Sequence, residues 1–162
     1  MRVEAPWLLG LGLAIQIALE YISFPKDQIE TVGYALLMVS YGCVLAFCLA
    51  NAPRSGFGVI AVGIALNALV IGLNQGMPTK PIGTDASGNR IRKAVTQTVK
   101  HRQARSDDLL GDLGDKILLP KPLDELVSFG DLVIAVGICE LAYYGSRRRF
   151  VGSATDQANL GA

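Results

Sequence analysis

The chain is poor in the residues from which reactive sites are usually built. It has one histidine, His101, and three cysteines, Cys43, Cys48 and Cys139, all in apolar stretches. An odd set so placed excludes a disulfide framework, and the three read as small packing residues. With a single histidine and no Cys-x-x-Cys there is no metal-ligand spacing, so neither metal nor cofactor is expected. Fifteen basic residues against fourteen acidic ones leave a net charge of +1. That balance offers nothing to a phosphate backbone, and no nucleic-acid partner is expected. Ser-His-Asp patterning, a phosphate-cradling glycine loop and a dinucleotide fingerprint are also absent from the sequence.

The most informative absence is of charge over long runs. Ser55 to Thr79 contains no charged residue, nor does Thr31 to Pro53, and Ala5 to Pro25 carries Glu20 alone. Hydrophobic residues make up 51% of the chain, and it is their gathering into blocks that separates it from a soluble core spread at helix or strand period. About 20 apolar residues at ~1.5 Å rise cross the ~30 Å hydrocarbon core of a bilayer. The sequence therefore predicts an all-α, multi-pass bundle of the cell membrane whose partner is the lipid bilayer. Four spans are expected near 6–22, 32–50, 56–74 and 128–145.

Trp7 and Tyr21 fit interface anchors at the two ends of the first span, which Pro25 and Lys26 stop. Thr31 can cap the second, and Asn51-Ala52-Pro53 ends it. Its small residues Gly33, Ser40, Gly42, Cys43 and Ala46 suit close packing without forming a clean small-xxx-small motif. Asn74-Gln75-Gly76-Met77-Pro78 ends the third. The fourth begins with the capping-box spacing Ser128-x-x-Asp131 and closes on Tyr143, Tyr144 and Arg147-Arg148-Arg149. That arginine cluster favours cytoplasmic termini, although the basic residues otherwise divide evenly between the two sides. Residues 151–162 read as a disordered tail.

Residues 75–126 read as a long charged loop. From Arg90 to Arg105 there are six basic residues and no acidic one, with Ile91, Ala94, Val95, Thr98 and Val99 at helical spacing. The pattern suits a short basic amphipathic helix on anionic headgroups or a solvated linker. The following part, with Leu109, Leu110, Leu113 and Ile117 to Leu119 among its aspartates, is apolar enough to pack against the bundle.

The run MVSYGCVLAFCLANAPRSGFGVIAVGIALNALVIGLNQGMP, followed by GDKILLP and VSFGDLVIAVGICEL, resembles a bacterial family of small polytopic membrane proteins of unknown function. The likeness covers most of Pro6 to Gly145 and brings no activity with it. Family members look as if they carry one more helix and a basic turn ahead of the segment matching Pro6, which suits either a shortened member or a misplaced start codon. The basic turn would place Arg2 on the cytoplasmic side.

With four alternating spans, Glu20, Asn74, Gln75 and Asp131 fall at one level, and Glu20, Asn67, Asn74 and Asp131 are the candidate polar cluster. Gln16 shares a face with Glu20, and Asn67 with Asn74. Either the four line a small pocket, or the acids sit among headgroups and Asn67 makes an interhelical hydrogen bond. Glu140 lies about 13 Å from Asp131 along the helix, half a turn round, and belongs elsewhere. A sharper alternative pairs Asp115 with Asp131 as a catalytic dyad sharing a proton. The last helix start is faintly similar to that of the lipoprotein signal peptidases. Those membrane-embedded aspartic hydrolases precede their aspartates with asparagine, where this chain has Asp112-Leu113-Gly114-Asp115 and Ser128-Phe129-Gly130-Asp131. The expected role is a non-enzymatic accessory protein of the bacterial inner membrane, acting with a partner membrane protein or as a homo-oligomer. A small-solute transport subunit is the other non-enzymatic alternative, with Gln16, Asn67 and Glu140 deepest.

Overall fold

The computed structural model describes residues 3–21, 29–85, 87 and 89–160, with residues 29–30 and 148–160 described by backbone alone. Helix α1 spans Pro6–Tyr21, and a short π-helical turn, Ile29–Gly33, leads into α2, Tyr34–Ala50. Helix α3 spans Phe57–Asn74 and α4 spans Phe129–Leu160. Thr31–Ala50, Phe57–Asn74 and Phe129–Arg147 are long and apolar enough to cross a membrane, while α1, at 16 residues, is shorter. The helix starts agree with those read from the charge-free runs. The expected stop at Pro25 and Lys26 lies outside the described residues. No proline follows Pro122 to interrupt the backbone, and α4 extends to Leu160.

The helices pack in chain order, α1 on α2, α2 on α3 and α3 on α4. Helix α1 comes close to α2 at Gly12, where a Cβ would stand 2.6 Å from Val44 Cγ2 and 3.0 Å from the Ser40 carbonyl. Leu37, Tyr41, Phe47 and Cys48 of α2 form the core with Phe57, Ala61, Ile64, Val70 and Ile71 of α3. At the α2–α3 turn, Phe47 and Phe57 meet edge to face at 5.6 Å. Beside them the buried Asn51 amide accepts from Glu4 N at 3.0 Å and donates to the Glu4 and Phe47 carbonyls, each at 2.9 Å. The approach to α1 is thereby fixed at the same end as the α2–α3 turn.

Helices α3 and α4 meet along four glycines. Gly63 faces Gly130 and Gly56, at the start of α3, faces Gly137, the two contacts standing two helical turns apart. A Cβ on Gly63 would come within 2.6 Å of the Gly130 carbonyl, and one on Gly137 within 2.8 Å of Ile60 N. Backbones this close gain dispersion contact along the seam, the form of association that replaces the hydrophobic effect where the surroundings are themselves apolar.

The segment between α3 and α4 departs most from expectation. In place of one charged loop its described residues hold six short strands in three two-stranded sheets, so the fold is mostly helical and not all-α. We refer to it as the cap. Strand β1, Met77–Thr79, pairs in parallel with β4, His101–Gln103. A parallel bridge joins Thr79 to Asp115 as well. Strands β2, Ile82–Thr84, and β3, Arg90–Arg92, form a hairpin. Its connection is held by the Asp85 carboxylate, which accepts from Ser87 N and Asn89 N. Strands β5, Ile117–Leu118, and β6, Leu126–Val127, pair just before α4. The basic amphipathic helix expected over 90–105 is therefore not formed. Ile91, Val95, Thr96, Thr98 and Val99 are β-branched and favour extended backbone, and β2 and β1 pair with the two ends of the stretch, Arg90–Arg92 and His101–Gln103.

The seam predicts opposite outcomes for neighbouring glycines. Gly63→Ala and Gly137→Ala are expected to destabilise the fold by ~1–3 kcal/mol through overpacking. Gly58→Ala, which meets nothing within 4 Å, should be neutral or stabilising by up to ~1 kcal/mol through helix propensity. Thermal denaturation in detergent distinguishes them, and equal effects at 58 and 63 would remove the seam as a source of stability.

Candidate functional site

Three polar groupings lie where the cap meets the helices. The first is inside the α3–α4 seam. Asn67, 3% exposed, donates from Nδ2 to Asp131 Oδ1 at 2.8 Å and accepts from Ser128 Oγ at 2.9 Å. The capping box closes around it, since Ser128 N donates to Asp131 Oδ2 at 3.0 Å and Asp131 N to Ser128 Oγ at 3.1 Å. Gly130 admits this arrangement because the Asn67 amide occupies the space a Cβ would need. Two of the four candidate cluster residues, Asn67 and Asp131, are thus brought together.

Asn74 belongs to a second grouping. Its side chain donates to the Val70 carbonyl at 2.8 Å and to the Leu109 carbonyl at 2.7 Å, and it accepts from Leu109 N at 2.9 Å. Arg102 Nε donates to the Asn74 carbonyl at 2.7 Å. The Arg102 guanidinium is buried against Asp108, whose other oxygen accepts from Arg105 N at 2.7 Å. Burial alone would raise the Asp108 pKa, but the hydrogen bonds from Arg102 and Arg105 and their charges outweigh it and hold the carboxyl below its ordinary value. Glu20 joins neither grouping. With Gln16 it lines a separate cavity of about 160 Å³ between α1, α2 and the Thr98–Lys100 stretch.

The third grouping was not legible as a site. Asp115, 3% exposed, accepts from Thr79 Oγ1 at 3.0 Å, and its Oδ2 lies 2.8 Å from His101 Nδ1. The sequence reading offered Asp115 as a dyad partner for Asp131 and set His101 aside for want of metal-ligand partners. In the fold the parallel bridge to Thr79 carries Asp115 beneath the imidazole. A carboxylate on Nδ1 leaves Nε2 as the ring nitrogen available for other contacts. Among the described residues no hydrogen bond or ion pair joins Asp115 to Asp131, and each carboxylate has its own partners.

A family model described as a family of unknown function (DUF5317) matches residues 1–143. The chain belongs to that family. No curated protein and no solved structure matches it.

Two predictions follow from these contacts. Asp131→Asn keeps an oxygen for Ser128 N, and the Asn67 amide can turn over to meet the new group, so this variant is expected to fold with near-normal stability. Asp131→Ala leaves Asn67 and Ser128 N unpaired and should cost ~1–3 kcal/mol, read by thermal denaturation in detergent. If Asn proves as damaging as Ala, the carboxylate's charge matters beyond capping. For Asp108 the folded pKa lies below the unfolded one, so its contribution is complete above the ordinary aspartate value of ~3.9 and is lost as pH falls through the lower folded value. Amide exchange at Leu109 should accelerate on acidification below about pH 4. Asp108→Asn should exchange faster at neutral pH and respond less to acid.

Proposed function

We propose that this family member is a multi-pass protein of a bacterial cell membrane, with four helices crossing the bilayer and a folded cap on one side. Its role on this reading is accessory and non-enzymatic: the helices hold the cap at the membrane surface for a partner protein or a second copy of the chain. The carrying observation is where the exposed apolar surface lies. Trp7, Leu11 and Ile17 on α1, and Leu132, Val136 and Ile138 on α4, all stand outside the packed helices. Water does not tolerate outward apolar faces on this scale, and lipid covers them at no cost.

The case for α1 as the fourth span rests on its two ends. Sixteen helical residues rise about 24 Å, short of a ~30 Å core. Yet Glu4 is bonded to Asn51 at the α2–α3 turn, while Gln16 and Glu20 share a cavity with Lys100 of the cap. Helix α1 thus runs between the same two levels as its neighbours, with Trp7 and Tyr21 65% and 83% exposed at its ends as interface anchors require. The Arg147-Arg148-Arg149 sequence favours cytoplasmic termini.

Asn67 is engaged within the seam and Gln16 lies at the α1–α2 cavity, so these two supply no common solute path. The aspartate dyad of the hydrolase alternative finds no support in the partners that Asp115 and Asp131 have. The test is topological. Reporter fusions after Asn51 and after Arg147 should report one side of the membrane, and a fusion after Gly88 the other. A tag ahead of Met1 should share the side of Asn51; finding it with Gly88 would reduce the spans to three. Native purification should retain a stable membrane partner or a homo-oligomer, and a lone monomer would remove the accessory role.

A further inference from the structure

Beside His101 the cap carries an open cleft of about 290 Å³, which the membrane reading does not use. We propose that this cleft binds a small organic anion, a phosphate or carboxylate on a hydroxyl-bearing body. Lys80 and Lys93 both line it, and among the described residues neither ammonium makes an ion pair or a side-chain hydrogen bond. The field of Lys80 reaches Asp112, but that carboxylate is already paired with Lys116 at 2.7 Å.

His101 gives the cleft its one ring fixed by a buried partner. Burying the Asp115 carboxylate is costly, and what its burial secures is the orientation of an imidazole that lines the cleft. With Nδ1 held, Nε2 is the nitrogen left for a ligand. Thr98 lies beside it and accepts from His101 N at 3.0 Å. The acid that faces the cleft, Asp124, is already hydrogen-bonded by Thr84. It repels a second anionic group but accepts from a hydroxyl, so the ligand carries its charge at one end. Ile82, Val95 and Leu126 lie around the cleft and suit a short carbon skeleton between the two. Two lysines are favoured over one strong contact because each is a flexible point charge that adapts to tetrahedral or planar oxyanions alike.

Glycerol 3-phosphate has this chemistry and serves as the probe, with inorganic phosphate for the charge alone. Titrated into the detergent-purified full chain, glycerol 3-phosphate is expected to bind at micromolar to millimolar concentration, and phosphate more weakly. Lys80→Gln and Lys93→Gln should each weaken binding by about tenfold, the loss of one charge-assisted contact. Lys116→Gln, outside the cleft, should leave it unchanged. Thermal midpoints of the unliganded variants check that both lysine substitutions fold. A parallel titration with nanodiscs of phosphatidylcholine, with and without phosphatidylglycerol, separates a lipid headgroup from a soluble ligand. Binding confined to phosphatidylglycerol and lost in both cleft variants assigns the same cleft to a headgroup. No binding of any probe overturns the proposal, as does binding that Lys80→Gln and Lys93→Gln leave intact. Neither result bears on how many helices cross the membrane.

Discussion

A helix end leaves its last carbonyls without intrahelical partners, and at the end of α3 the supply of those partners organises much of the molecule. The Val70 carbonyl accepts from the Asn74 side chain. The Ile71 carbonyl accepts from Gly76 N at 3.2 Å and from the Tyr34 hydroxyl of α2 at 3.3 Å. The Asn74 carbonyl accepts from Arg102, which reaches it from β4. Gln75 and Gly76 both take positive φ, +52° and +129°, to make the reversal. The glycine does so without the steric penalty a Cβ carries. Once Arg102 is committed there, its charge needs Asp108, and its strand needs β1 beside it. The cap is anchored through the closure of a helix end.

A similar economy governs the α3–α4 seam. Close backbone approach at Gly63, Gly130 and Gly137 leaves no space for water, so polar groups enclosed there must answer one another. Asn67, Ser128 and Asp131 do so as a closed set. The capping box serves the first turn of α4, and Asn67 ties that turn to the middle of α3. An interhelical hydrogen bond in lipid contributes ~0.6 to 2 kcal/mol, so the set adds register to a seam that close packing already holds.

The positions of the helices were readable because each reflects a run of residues with one property. The Asn74 exit and the Ser128–Asp131 box were readable because both are local. What sequence could not supply was partnership across distance. Gly63 and Gly130 look unremarkable in their own helices and acquire meaning only face to face. Ile91, Ala94, Val95, Thr98 and Val99 have helical spacing, yet the backbone partners of that stretch come from Met77–Thr79 and Ile82–Thr84, and tertiary pairing overrode the period. Arg102 looked like one more cation for headgroups, although Asp107 and Asp108 close behind it were a signal that the basic run had its own acids. His101 was discounted as solitary because Asp115, fourteen residues on, had no visible reason to meet it.

The two aspartates that a dyad would join show how differently a fold can use one residue type. Asp131 accepts from Asn67 and Ser128, and those bonds account for its place at the start of a helix. Asp115 is also satisfied, by Thr79 and His101, but one of its partners is an imidazole-bearing residue that lines a cleft with Lys80 and Lys93, neither of which makes an ion pair among the described residues. A structural carboxylate needs to satisfy backbone or neutral donors and nothing more. One that instead holds a single imidazole passes its orientation on to whatever the ring touches. On the proposed reading of the cleft, Asp131 serves the architecture, and Asp115, through His101, serves the binding of an anion by the cap.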